Sequence, residues 1–124
     1  MNTSYVCIVI NIFIPLVCAG YAKFSTKGYD NHHPRDFLAK LEGKGKRAHA
    51  AQQNAFEAFP PFAIGVIVAH QLSAPISTIN TLAITFTCAR ITYCLCYIID
   101  QDKFRSLSWL IAFSCTIALY LIAL

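Results

Sequence analysis

Two charged side chains, Glu57 and Arg90, sit inside long apolar stretches of this 124-residue chain. A charge at membrane depth costs roughly 2.5–3.5 kcal/mol on insertion scales, so each needs a partner. An inter-helix Glu57–Arg90 pair is the simplest neutralisation. Upstream of Glu57 lie Arg47, His49, Gln53 and Asn54, and Pro60-Pro61 follow it. In a helix Arg47 and Asn54 fall about 20° apart, with Glu57 about 60° further round. The three project from one side, flanked by His49 and Gln53. Such a face can hold a charged ligand or can simply fix helix packing. The prolines leave the carbonyls of Phe56 and Glu57 without an amide donor, which predicts a kink opening the helix beside that face.

A second stripe is formed by Arg90, Tyr93 and Tyr97, spaced by three and four residues and so confined to about 60° of a helix. Tyrosine hydroxyls in an apolar run need polar partners, although Tyr97, near the end of its run, also suits an interfacial anchor. Arg105-Ser106 precede the last apolar run. Ser106 is the expected N-cap of a helix there. Arg105 would stand beside the positive end of that helix, unfavourable alone and favourable once an anion arrives; snorkelling to headgroups is the alternative. The six cysteines (Cys7, Cys18, Cys88, Cys94, Cys96 and Cys115) all fall within apolar runs and read as small hydrophobes. Cys94 and Cys96 point to different sides of a helix, so no metal site is expected.

The elements that must position these groups follow from composition. The chain is 56% hydrophobic and 13% charged, against about 25% charged in soluble domains. This excludes a disordered tail, and the net charge of +4 is too small and too localised for a nucleic-acid partner. Four apolar runs, each long enough to cross a hydrocarbon core of about 30 Å, predict helices over residues 5–24, 47–72, 76–99 and 107–124. The first run lacks the basic n-region and Ala-x-Ala site of a signal peptide and is expected to be a retained helix. Within the first connection, residues 25–46, Pro34 predicts a turn, Asp36 caps a short helix from Phe37 to Glu42, and Gly43-Lys44-Gly45 breaks it before the next long helix begins near Lys46. The first connection is rich in Lys and Arg, the third carries Lys103 and Arg105, and the second has no charge. Basic loops stay inside, which predicts loops one and three cytoplasmic, with loop two and both termini outside. The expectation is one all-α domain over residues 1–124, an integral, multi-pass membrane four-helix bundle.

The pattern Arg47-Ala48-x-x-Ala51-x-x-Asn54-x-x-Glu57-x-x-Pro60 resembles the signature of the MAPEG family, membrane-associated proteins in eicosanoid and glutathione metabolism. Ala89, Arg90, Tyr93 and Tyr97, followed by Arg105 and Ser106, fit its later motif. The likeness covers most of the chain, and the compact length resembles the short bacterial branch, which implies a bacterial inner membrane. It further implies a left-handed up-down-up-down bundle assembled as a homotrimer, with glutathione bent into a U between neighbouring subunits at the cytoplasmic side. Arg47, Asn54, Glu57, Arg90, Tyr93 and Tyr97 match positions of the family's glutathione site. Arg105 matches its thiolate stabiliser, with Ser106 as a hydrogen-bond donor, and Lys23 and Lys27 lie near basic residues that contact a glutathione carboxylate or assist the leaving group. The implied activity is a glutathione-dependent transferase or peroxidase acting on a lipophilic electrophile or hydroperoxide drawn from membrane lipid, with glutathione as co-substrate and no metal.

Many members carry a second Arg four residues before the Asn, and here that position is Ala50, so a ligand carboxylate loses a bidentate partner. The family also contains a member that binds lipid without catalysing anything, and a non-catalytic lipid- or ligand-binding scaffold of the same fold is the alternative. A small multidrug-type proton-coupled transporter would place its essential Glu in the first helix, and this first run contains no acid.

Overall fold

A computed structural model describes residues 2–124 of the chain. Five helices follow in order: α1 (Thr3–Phe24), α2 (Pro34–Ala39), α3 (Gly43–Gln71), α4 (Ile76–Ile98) and α5 (Asp102–Leu121). No strand occurs among the described residues. The four long helices pack together, with α3 and α4 in contact and each touching both α1 and α5. The closest pairs are α1 with α3 and α4 with α5, so the chain's first and last long helices flank the central pair.

The packing inverts the pattern of a soluble protein. Interior positions are dominated by small residues, among them Ala22, Ala48, Ala51, Ala55, Ala83 and Ala112, while Phe13, Leu16, Val17, Ile76, Leu95 and Leu110 are exposed. Small residues let helix backbones approach where no water drives association, and lipid takes the large side chains. Gly65 shows how close that approach is. A Cβ there would lie 3.1 Å from the Tyr120 ring and 3.3 Å from Cβ of Leu119, and the Tyr120 hydroxyl donates to the Pro61 carbonyl over 2.8 Å. The larger buried side chains gather in a core where the rings of Phe62 and Phe86 stack at 3.8 Å. Asn11, buried on α1, donates both to the Cys7 carbonyl and to Oγ1 of Thr87 on α4, each at 2.8 Å. Polar groups inside the bundle thus bond across helices, as a medium without water requires.

Helices α1, α4 and α5 are each long and apolar enough to cross a membrane. At 1.5 Å per residue α3, with 29 residues, extends about 44 Å. It falls short in hydropathy because Gln52, Gln53, Asn54 and Glu57 occupy its first half.

Several boundaries differ from those expected. The short helix starts at Pro34, which occupies its first turn, and ends at Ala39. Proline is preorganised for that position and needs no amide partner there, and this outweighs Asp36 as a cap. Leu38 anchors the helix among Ala22, Leu41 and Ala48. The next helix begins at Gly43 rather than near Lys46, so both glycines lie in its first turn, and Gly45 gives the end of α1 room to pack: a Cβ there would collide with Ser25. The same helix runs unbroken through Pro60 and Pro61. The last helix starts at Asp102, five residues before its expected start at 107. Asp102 is the acidic residue of its first turn, where the helix dipole favours a negative charge. Two left-handed residues close the helical ends: Ser73 (φ 59°) and Asp100 (φ 64°), with Ala74 N–H donating to the Ala69 carbonyl and Gln101 N–H to that of Cys96, the Schellman arrangement.

Candidate functional site

Arg90, on α4, is only 2% exposed. Its Nη2 donates to Oδ1 of Asn54 on α3 over 2.8 Å, and its guanidinium lies 4.3 Å from the centre of the Tyr93 ring. An amide oxygen and an aromatic face therefore solvate the buried cation. The expected Glu57–Arg90 pair is not what the fold uses. Asn54 meets α4 at the level of Arg90, whereas Glu57, three residues on, is rotated about 60° away and is exposed. Among the described residues no buried side-chain nitrogen or oxygen lacks a hydrogen-bond partner.

From Arg90 the stripe continues along α4 and across to α5. Tyr93 and Tyr97 meet edge to face with centroids 5.7 Å apart, and the Arg105 guanidinium lies 4.4 Å over the Tyr97 ring. Two cations thus bracket two tyrosines that meet edge to face. The spacing on α4 gives the first three members, and the short α4–α5 turn, tightened by Asp100, returns Arg105 to the same face.

Two clefts open along this row. One, of about 270 Å³, is lined by Asn54, Tyr93, Tyr97, Arg105, Ser106 and Trp109. Its lining includes a guanidinium, hydroxyls and an amide but no acid. The other, of about 210 Å³, is lined by Asn54, Glu57, Arg90 and Trp109 together with apolar groups that include Pro61, Phe86 and Phe113. Asn54 and Trp109 line both. The first cleft therefore suits an anion, while the second sets the Glu57 carboxylate, the Asn54 amide and the Arg90 guanidinium among mostly apolar walls.

Seven of the nine residues singled out from the sequence line one cleft or the other. Arg47 and Lys23 line neither. Arg47 Nε donates to the Ile98 carbonyl over 3.1 Å, where a cation meets the negative end of α4. Lys23 places its ammonium 5.2 Å from the Tyr29 ring. Ser106 is not the N-cap. Gln101 occupies that position, and the Arg105 N–H is already committed to the Gln101 carbonyl. Arg105 and Ser106 can act only through their side chains, not through free amides at a helix start. Trp109, which no sequence motif singles out, lines both clefts as well. It follows Ser106 by three residues and Arg105 by four, and that spacing places it on their face.

A membrane helical bundle with clefts that each hold an arginine is the class of protein that fold and site define. Comparison with protein families matches residues 3–124 to the MAPEG family, and the chain belongs to it. That family includes glutathione transferases and related enzymes, and its membership together with the three apolar helices makes this an integral membrane protein. No curated protein and no solved structure matches the chain significantly.

Proposed function

We propose that the protein is a glutathione-dependent transferase or peroxidase acting on lipophilic electrophiles or hydroperoxides in the membrane. The observation that carries this reading is the pairing of the two clefts. A guanidinium and a hydroxyl, from Arg105 and Ser106, share one wall with Asn54 and Trp109, and a carboxylate, Glu57, stands across those same two residues. Glutathione needs this complement: a cation for its thiolate, an anion for its ammonium, and neutral donors for its amides.

A free thiol of pKa about 8.5 is only a few per cent ionised at neutral pH. Lowering it by two units takes about 2.7 kcal/mol of preferential stabilisation of the anion. The Arg105 charge, held in place by the Tyr97 ring, supplies this in our reading, with Ser106 donating a hydrogen bond. Glu57 holds the ammonium, Asn54, Tyr93 and Tyr97 bond the amides, and Arg90 faces a carboxylate. Arg47 and Lys23 reach the ligand only from a neighbouring subunit or after rearrangement, since neither lines a cleft here. The mostly apolar lining of the second cleft admits the lipophilic partner. In this reading four helices span the membrane, the basic loops face the cytoplasm, three copies assemble, and the host membrane is a bacterial inner membrane.

Ala50 favours a second reading, a lipid- or ligand-binding scaffold without turnover, because one charged donor expected for a ligand carboxylate is absent. Calorimetric titration of the detergent-purified protein with glutathione, alongside a conjugation assay, separates the two. The enzyme reading expects saturable binding and turnover that Arg105→Ala abolishes. Binding without turnover supports the scaffold, and full turnover in Arg105→Ala rejects the role given to Arg105.

A further inference from the structure

A pair of nucleophiles lies outside both clefts, between α1 and α4. Cys18 of α1 and Cys94 of α4 are both free and buried, packed in one cluster with Ala51 and Tyr93, and their thiols face each other. Cys94 follows Arg90 by four residues, so the two share a helix face. Both cysteines also line a groove of about 450 Å³ between α1 and α4 whose other walls include Phe13, Val17, Ile91 and Leu95. All four of those side chains are exposed on the outer surface.

We propose that Cys18 and Cys94 form a redox-active dithiol that reduces lipid hydroperoxides entering this groove. The groove offers no polar walls for a headgroup or a peptide, so its occupant is an acyl chain. Its depth suits a peroxidised one. Cys94 lies four residues from the end of α4 and Cys18 six from the end of α1, about 6–9 Å below the helix ends. A hydroperoxide is too polar to stay at the bilayer centre and rises toward this level. One thiol attacks the terminal peroxide oxygen. The O–O bond breaks, the lipid alkoxide takes the proton the thiol gives up and leaves as an alcohol, and a sulfenic acid remains. The second thiol attacks that sulfur, forming the disulfide and releasing water. Two thiols are oxidised by two electrons in total and one peroxide is reduced; an external soluble thiol restores the pair by exchange. The disulfide also ties α1 to α4.

The test uses the full chain in phosphatidylcholine vesicles containing a fatty-acid hydroperoxide, with no glutathione present, so that its outcome is independent of the Arg105 site. The proposal expects one equivalent of lipid alcohol per protein, and peptide mapping that joins Cys18 to Cys94. Cys18→Ala and Cys94→Ala should each stop disulfide formation, and the remaining cysteine should be labelled by a sulfenic-acid trap in at least one of them. Three results overturn it: no alcohol above protein-free vesicles, a disulfide through other cysteines, or equal alcohol formation in the double variant. Mapping of the wild-type protein decides the matter even where a variant fails to fold. A second copy covering the groove would appear as the first of these failures.

Discussion

At the residue scale, Arg90 decides what the site can be. A buried guanidinium held by Asn54 and the Tyr93 ring leaves Glu57 free for a ligand, whereas the ion pair anticipated from the sequence would have consumed it. The two arrangements predict opposite outcomes. Asn54→Ala should lower stability by about 2–3 kcal/mol, because it strips a hydrogen bond from a buried charge. Glu57→Gln should stay within about 0.5 kcal/mol of wild type while weakening glutathione binding. Thermal unfolding in detergent, followed by calorimetry, reads both. The helical spacing of Arg90, Tyr93 and Tyr97 was sufficient to place them on one face. The partner on α3 differs by one turn, because Asn54 and Glu57 lie on the same side of that helix, and the level at which α3 meets α4 together with the 60° between the two decides which one faces Arg90. Arg105 over Tyr97 depended on the path of the α4–α5 turn, which no local pattern specifies. Cys18 and Cys94 are distant in sequence and carry no signal of their meeting.

At the scale of elements, the helices were legible from their apolar runs, and the errors fell at their ends. Ser106 looked like a cap, but Asp102 supplied an earlier start with better dipole complementarity, and Pro34 outranked Asp36 for the same kind of reason: a residue suited to the first turn extends a helix past a nearby cap candidate. The turn between α3 and α4 makes a further prediction. Ser73 is left-handed, a conformation that costs a non-glycine residue roughly 1–2 kcal/mol, so Ser73→Gly should raise stability by about 1 kcal/mol. In contrast, Gly65→Ala should lower the unfolding temperature, since the added methyl meets the Tyr120 ring and Leu119 at contacts tighter than side chains normally make. Measured melting temperatures of the two variants should therefore move in opposite directions.

At the scale of the whole molecule, small residues inside and large apolar residues outside describe a chain that needs lipid, and composition alone announced this. Composition did not show how polar the first half of α3 would be. That half carries Asn54 and Glu57, and on the proposed reading it is shielded from lipid by neighbouring copies. A trimer is accordingly expected: mass measurement of the detergent-solubilised protein should return three chains per particle, and Arg105→Ala should leave that mass unchanged. A monomeric particle would leave the polar flank of α3 against acyl chains and remove the basis for a ligand site shared between copies. In the proposed function, turnover depends most heavily on Arg105 ionising the thiol of bound glutathione. A pH titration of thiolate absorbance in the glutathione-saturated protein tests it directly. The wild type should show the bound thiol half-ionised about two pH units below the free value of about 8.5, and Arg105→Ala should return it to that value. Bound glutathione that titrates like free glutathione in the wild type would contradict the account.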